Sequence, residues 1–157
     1  MSGRLTMTRD LLLVRSGRRL CALPVEHVDE TMRPMPIEAL PDVPTFVRGL
    51  AIVRGRPTPI VDLRTLLGDD EHEDPTRLVT LRINGTRHVG VLVDEVLGIR
   101  EKRTLHTEDM PSLLQDAAAD IVQELARLDG RLLTILRTGS LIPEEVWLLA
   151  RHGKASQ

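Results

Sequence analysis

Aromatic side chains are nearly absent from this chain of 157 residues, which has one Phe, one Trp and no Tyr. Proteins that bind single-stranded nucleic acid stack the bases on flat side chains, and this chain has too few of them to form such a platform. Its 21 Lys and Arg are balanced by 23 Asp and Glu, so the formal net charge is −2 at pH 7. No excess positive field is present to hold a phosphate backbone. We therefore expect no nucleic-acid partner.

Cysteine and long apolar runs are equally scarce. Cys21 is the single cysteine, so neither an internal disulfide nor a thiolate metal cluster can form, which fits a reducing compartment. We expect Cys21 to fill space in the core and not to act as a nucleophile. The apolar run at residues 11–14 is short, and none approaches the roughly 20 residues of a membrane helix. With no signal peptide at the N-terminus, we expect a soluble, cytoplasmic protein with no direct membrane insertion.

Glycine-containing turns divide the apolar sequence into short segments. Ser16-Gly17, Asn84-Gly85 and Asp129-Gly130 each place a glycine, which accepts positive φ, between apolar runs, as tight hairpin turns require. Gly and Pro also interrupt the chain at residues 54–57. The pattern predicts four hairpins, with paired strands at residues 11–15 and 19–23, 49–53 and 58–63, 78–83 and 87–94, and 121–128 and 131–136.

Signals for helices are few. Asp62 is placed to cap a short turn at residues 63–67 that Gly68 ends, and Pro143 suits the first turn of a helix that runs to Ala150. The hydrophobic fraction of 41% is sufficient for one domain with a packed core. Many short strands without a long crossover helix favour an all-β barrel or sandwich. The acidic segment at residues 68–74 divides this pattern into two similar halves.

No motif indicates catalysis or a bound cofactor. Ser140 lacks the glycine spacing of a nucleophile turn, and the glycine-rich loops that cradle phosphates are absent. Asp94 and Glu95 are adjacent at the end of a predicted strand, so we expect them on opposite faces and unable to share one acid-base site. A hydrolase would need a convergent cluster of distant residues that sequence does not display. We expect neither enzymatic activity nor a cofactor.

Side chains that ligate metals are scattered. No two of the five histidines lie at the spacing of two or four positions that brings ligands onto one metal ion, and we interpret them as surface residues. Residues 69–74 are all acidic or histidine and could attract a hard divalent cation weakly. Because no glycine or ligand spacing shapes that segment around an ion, a solvated loop is the favoured interpretation and no metal site is predicted.

The strongest candidate for a binding surface is residues 43–64, which contain the single Phe and an Arg-Gly step. Arg54 would extend from a hairpin tip where Gly55 lets the backbone turn. A guanidinium presented in this way is planar and suits a carboxylate partner. The composition therefore points to protein binding and not to chemistry at this segment.

Four segments, in this order, resemble the CheW-like domain family of bacterial chemosensory adaptors: residues 20–34, 46–64, 89–96 and 128–136. The second segment is the most specific, because it combines Phe46-Val47-Arg48-Gly49 with Arg54-Gly55 and residues 59–64. The resemblance implies two intertwined, five-stranded SH3-like β-barrels with a few short helices and a C-terminal helix. They would form a single domain with two barrel subdomains at residues 10–151, between flexible ends at residues 1–9 and 152–157.

The resemblance also implies a function without catalysis. Members of the family couple the cytoplasmic tip of a chemoreceptor, a methyl-accepting chemotaxis protein, to the regulatory domain of a CheA-type histidine kinase. They do so in arrays under the membrane, where weak self-association is also expected. Carried over residue by residue, the protein-binding surface would include Val28, Glu30 and Arg54, with Gly49 and Gly55 shaping the adjoining turns. Val28 could instead belong to the core, and Glu30 and Arg54 could form only a local ion pair.

Two positions depart from the family pattern. Ile52 stands where the family usually has an Asn two residues before the Arg-Gly step, and Arg137 stands where an Asp is usual. The first change removes a polar side chain that could brace the turn, and the second reverses a charge. They leave open an alternative, namely a divergent scaffold that binds a different signalling protein or has lost one of the two usual partners.

Overall fold

A computed structural model describes residues 10–69, 74–108 and 120–155, with side chains described up to Ala150. Eleven strands and two α-helices make up its regular structure, together with three short 3-10 turns. In chain order the elements are β1 (Asp10–Ser16), β2 (Arg19–Pro24), β3 (Val28–Met32), β4 (Val47–Val53), β5 (Arg56–Asp62), α1 (Leu63–Leu66), β6 (Arg77–Ile83), β7 (Arg87–Val93), β8 (Glu95–Glu101), β9 (His106–Glu108), β10 (Val122–Leu128), β11 (Arg131–Leu136) and α2 (Glu144–Ala155).

The strands form two interlaced sheets. The first has the order β8-β1-β2-β11-β10-β9 and the second the order β3-β6-β7-β5-β4. The chain begins in the first sheet, builds the second with β3 to β7, and then returns, so that β11 pairs in parallel with β2. The predicted mostly-β fold with few helices is confirmed, and the two predicted five-stranded barrels correspond to these two sheets. One sheet has six strands where five were expected, because the three-residue β9 extends the edge of β10.

All four predicted hairpins are present, and left-handed residues form their turns. Arg54 and Gly55 have φ of 52° and 76°, and Asp129 and Gly130 have φ of 50° and 78°, as two-residue turns between twisted strands require. The first of these turns is shorter than predicted. Arg56 and Pro57 belong to β5 and pair with Val53 and Ile52 of β4.

Three strands, β3, β8 and β9, were not predicted from the sequence. They share an exposed position, since β3 lies at one edge of the second sheet while β8 and β9 form the two edges of the first. Their side chains are mostly polar or only half-buried, so the hydrophobic pattern that identifies a strand is weak in each of them.

The predicted division into two halves at residues 68–74 does not match the sheets. This segment leads from α1, which directly follows β5, to β6. Because β5 and β6 belong to the same sheet, the segment does not separate the two sheets. Residues 70–73, which carry most of the predicted acidic loop, lie outside the described residues, as do the predicted flexible residues 1–9. The flexibility of residues 152–157 stays a prediction, although α2 continues past the predicted Ala150 to Ala155.

Both faces of β1 are buried. Leu12 and Val14 pack into the largest core cluster, which includes side chains from both sheets, whereas Leu11 and Leu13 pack into a second cluster. Successive side chains of a strand point to opposite faces, so a strand between two cores carries an unbroken apolar run. Cys21 is fully buried in the largest cluster, as predicted.

The two helices confirm their predicted start signals. The Asp62 side chain accepts hydrogen bonds from the backbone N–H of Arg64, at 3.0 Å, and of Thr65, which caps α1. The second helix, α2, begins at Glu144 directly after Pro143, whose carbonyl accepts a hydrogen bond from the Trp147 backbone N–H at 3.4 Å. Within the described residues, no helix is long and apolar enough to cross a membrane.

Candidate protein-binding site

Arg54 and Glu30 form a bidentate ion pair at the surface of the second sheet. Arg54 Nε donates to Glu30 Oε2 at 2.8 Å, and Arg54 Nη2 donates to Glu30 Oε1 at 2.6 Å. Glu30 lies on β3 and Arg54 in the turn that ends β4, so the pair links the two edge strands of the sheet. The Arg54 hydrogen bond lowers the pKa of Glu30 below its usual 4.5, and the carboxylate stays ionised at neutral pH.

A pocket of about 540 Å³ opens beside this pair, and we call it the mouth pocket. Its wall combines three arginines with two acidic residues and one histidine, and the lining residues are Asp29, Glu30, Val53, Arg54, Arg56, Thr58, Thr80, Arg82, Gly85 and His88. Arg82 Nη2 donates to Asp29 Oδ1 at 2.9 Å. The pocket therefore holds three guanidinium groups and only two carboxylates.

Arg56 is the guanidinium in this pocket that has no carboxylate partner among the described residues. Its Nη1 contacts His88 Nε2. Because a guanidinium only donates, Nε2 must accept, and His88 is neutral with its proton on Nδ1. Burial and the charge of Arg56 lower the pKa of His88 below its usual 6.5, while Asp29, 3.7 Å from Nδ1, opposes this shift. Arg82 adds a further lowering effect.

The structure brings only some of the predicted site residues together. Glu30 and Arg54 are in direct contact, and Gly55 completes the turn that carries Arg54. Val28 begins β3 but is half-buried against the largest core cluster. Gly49 lies near the opposite end of β4 with φ of 138°, where an added Cβ would collide with the backbone of residues 38 and 39. The role of these five residues in binding stays a prediction.

Four residues of the mouth pocket were not predicted from the sequence, namely Asp29, Arg56, Arg82 and His88. One signal was available, since the Asn84-Gly85 hairpin sets Arg82 of β6 opposite His88 of β7. Nothing in the sequence showed that β3 packs beside β6 and brings Asp29 to the same place. His88 is partly exposed, with 20% of its side chain accessible, and lines the mouth pocket. His27 is also only partly exposed, and its Nδ1 hydrogen bonds to the Thr138 hydroxyl.

Asp94 and Glu95 differ sharply in environment. Asp94 is buried, pairs with Arg64, and accepts a hydrogen bond from the Gly17 backbone N–H at 2.6 Å. Glu95 is exposed and accepts from Arg15 Nε at 3.2 Å. Arg15 lies near both carboxylates, because its Nη1 is also 3.8 Å from Asp94, and the expectation that the two residues do not share one acid-base site stays a prediction. These contacts join the first hairpin to the end of the second sheet.

Groups suited to metal binding or nucleophilic chemistry are few in the described residues. They contain no group of three or more His, Cys, Asp or Glu side chains that could hold a metal ion. Burial raises the pKa of Cys21 to about 12, so its thiol remains protonated at neutral pH. These features do not resemble a reactive centre, and the mouth pocket with its exposed ion pair is the strongest candidate site.

Relatives of the chain carry names from chemosensory signalling. Chemotaxis protein CheW of Rhizobium meliloti (strain 1021) is 27% identical over 138 residues, which cover 87% of this chain and 89% of the relative. Chemotaxis protein CheW of Thermotoga maritima is 28% identical over 135 residues, with coverages of 86% and 88%. Protein FrzA of Myxococcus xanthus is 29% identical over 125 residues, with coverages of 78% and 76%.

A solved structure supports the fold. The crystal structure of the scaffolding protein TtCheW from Thermoanaerobacter tengcongensis matches with a TM-score of 0.67 and 19% identity, covering 83% of this chain and 90% of the other. The predicted role as a scaffold of chemosensory signalling is confirmed by the family and by these relatives. Residues 10–146 match the CheW-like domain, and the chain therefore belongs to the CheW-like domain family.

Proposed function

We propose that this protein couples the cytoplasmic tips of chemoreceptors to the regulatory domain of a CheA-type histidine kinase, through contacts that involve no catalysis. The observation that carries the proposal is the Arg54–Glu30 pair, which joins the two edge strands of the second sheet beside the mouth pocket. Membership of the CheW-like domain family supports the partner class. The protein would work in the cytoplasm at membrane-associated arrays, with weak self-association.

The pair is suited to hold a partner because two hydrogen bonds join its side chains while Arg54 stays accessible. The Arg54 side chain is 74% exposed, and its two bonds to Glu30 leave further N–H donors of the guanidinium for a partner. Ile52, which is 62% exposed on β4, offers apolar surface two residues before Arg54. An amphipathic helical hairpin, as in a receptor tip, binds by placing apolar side chains on such a surface and polar ones at its rim.

Glu30 has a positioning role in this proposal. By fixing one edge of the Arg54 guanidinium, it selects one orientation of a long and otherwise mobile side chain, so less conformational entropy is lost when the partner binds. Val28 supports β3 from the core side. Gly49 and Gly55 permit the backbone at the two ends of β4 to follow its path.

Co-purification tests the partner class. The tagged protein, isolated from its own cells, should recover a CheA-type kinase and a chemoreceptor. Recovery of a different signalling protein, or of only one of the two partners, would favour the alternative of a divergent scaffold. That alternative has a structural basis, since Ile52 exposes an apolar side chain where the family usually has an Asn.

Alanine variants test the site. Arg54→Ala and Glu30→Ala should each weaken receptor binding and receptor control of the kinase. Arg77→Ala is the matched control, because Arg77 is an exposed arginine of the same sheet that lies outside the mouth pocket. If both site variants bind receptor and kinase as tightly as the control variant does, the site assignment is wrong.

A further inference from the structure

The mouth pocket contains two arginines, Arg56 and Arg82, in addition to the one that pairs with Glu30. Arg54 is held by Glu30 and Arg82 by Asp29, each with a hydrogen bond shorter than 3 Å. Arg56 meets only the neutral imidazole of His88, and no ion pair to it exists among the described residues. In the part of the chain that the structure describes, one guanidinium in the pocket therefore has no counter-ion.

An imidazole is a poor substitute for a carboxylate on a guanidinium. It accepts one hydrogen bond and brings no negative charge, whereas a carboxylate accepts two parallel bonds and is attracted electrostatically. Three guanidinium groups and two carboxylates line the pocket, and the Arg56 side chain reaches it from the exposed start of β5. Burial of the ring lowers the pKa of His88 most, and the charges of Arg56 and Arg82 lower it further, against the opposing effect of Asp29.

We propose that Arg56, with His88 and Arg82 beside it, forms a carboxylate-binding subsite that an acidic side chain of the docked receptor tip occupies. This inference rests on the proposed function, because the subsite lines the same pocket as Arg54 and Glu30. A receptor that covers the Arg54–Glu30 pair would bring its neighbouring side chains over Arg56. The entering carboxylate would replace His88 as the hydrogen-bond acceptor of Arg56 and supply the missing negative charge.

The subsite also predicts proton uptake on binding. Four groups determine the charge state of His88, namely Arg56 on β5, Arg82 on β6, Asp29 on β3 and the entering carboxylate. Burial of the ring disfavours protonation most, the charges of Arg56 and Arg82 add to this effect, and Asp29 favours protonation. A bound carboxylate adds negative charge near the ring, so the pKa of His88 should rise and receptor affinity should increase as the pH falls from about 8 to about 6.

Receptor binding by Arg56→Gln tests the proposal, with Arg77→Gln as the control. The probes are the cytoplasmic fragment of the co-purified receptor and, separately, the regulatory domain of the kinase. We expect Arg56→Gln to weaken receptor binding about tenfold and to leave kinase binding and the control variant unchanged. Arg56→Glu should weaken receptor binding further, and a receptor in which the contacting Glu or Asp is replaced by Arg should restore it.

The outcomes separate this inference from the proposed function. If Arg56→Gln binds receptor as the control does while Arg54→Ala does not, the subsite is overturned and the proposed function stands. If Arg54→Ala also binds normally, the site of the proposed function fails as well. A wild-type receptor affinity that does not change with pH over the stated range would overturn the role given to His88.

A free anion is the other possible occupant, and a titration distinguishes it. The His88 ring signals are followed by NMR in the complete chain while acetate or inorganic phosphate is added. Saturable binding with a dissociation constant below about 1 mM would assign the pocket to a free anion and overturn the receptor as the source. We expect no saturation in that range, because a single small anion lacks the contacts that a docked receptor makes around the pocket.

Discussion

Arg64 and Asp94 form a buried ion pair, with side chains only 6% and 8% exposed. Arg64 lies in α1, after β5, and Asp94 directly follows β7, so both stand at the same end of the second sheet. The Asp94 carboxylate also accepts the Gly17 backbone N–H from the first hairpin. One carboxylate thus holds together α1, the end of β7 and a turn of the other sheet.

Asp94→Asn should destabilise the fold strongly. The substitution keeps the size of the side chain but removes the negative charge that faces a buried guanidinium, and breaking such a pair costs about 3 kcal/mol or more. Chemical denaturation measures the loss. Glu95→Gln is the control, because Glu95 is exposed and its pair with Arg15 should be worth less than about 1 kcal/mol. Equal losses in the two variants would contradict the importance of the buried pair.

Gly49→Ala should cost more stability than Gly130→Ala. Both glycines have positive φ, but an added Cβ at Gly130 meets nothing within 4 Å, whereas at Gly49 it collides with the backbone of residues 38 and 39. Gly130→Ala should cost about 1 kcal/mol from strain alone. Gly49→Ala should cost at least about 1 kcal/mol more, since the segment that pairs with Leu50 must move away. Thermal and chemical unfolding of the two variants would check this order.

Cys21 should be unreactive in the native protein. Its side chain is fully buried and burial raises the pKa of its thiol to about 12, so access and thiolate formation are both suppressed. A chromogenic disulfide reagent at neutral pH should label no thiol in the native chain and one in denaturant. Labelling of the native protein at the rate of a free thiol would show that this part of the core opens readily.

The Arg54–Glu30 pair should make a contribution to stability that depends on pH. Arg54 lowers the pKa of Glu30 in the folded protein, so this contribution is fully present above the usual value of 4.5 and is lost as the pH falls below it. The stability difference between wild type and Glu30→Gln should therefore shrink on acidification. In an Arg54→Gln background, the same Glu30 substitution should show a weaker pH dependence. An unchanged pH dependence in that background would mean that Arg54 does not cause the shift.

The sequence was most informative where local rules apply. The turns at Gly55, Asn84 and Gly130 need positive φ, which few residues other than glycine and asparagine accept readily, so these hairpins could be predicted from local composition. The Asp62 cap could be predicted for the same reason, since it acts on residues two and three positions away. Edge strands such as β3 were missed because their side chains are only half-buried.

For the site, the sequence by itself determined the Arg-Gly turn, the chemical nature of its guanidinium and the family to which the chain belongs. The predicted Asn84-Gly85 hairpin sets Arg82 opposite His88 in the structure, although neither residue was predicted as part of the site. Only the tertiary structure decided that Glu30 holds Arg54, that Arg56 meets His88, and that Asp94 pairs with Arg64. The physical reason is that the two residues of each pair lie far apart in the sequence. They come into contact because of the order in which the strands of the second sheet pack, and no local sequence pattern encodes that order.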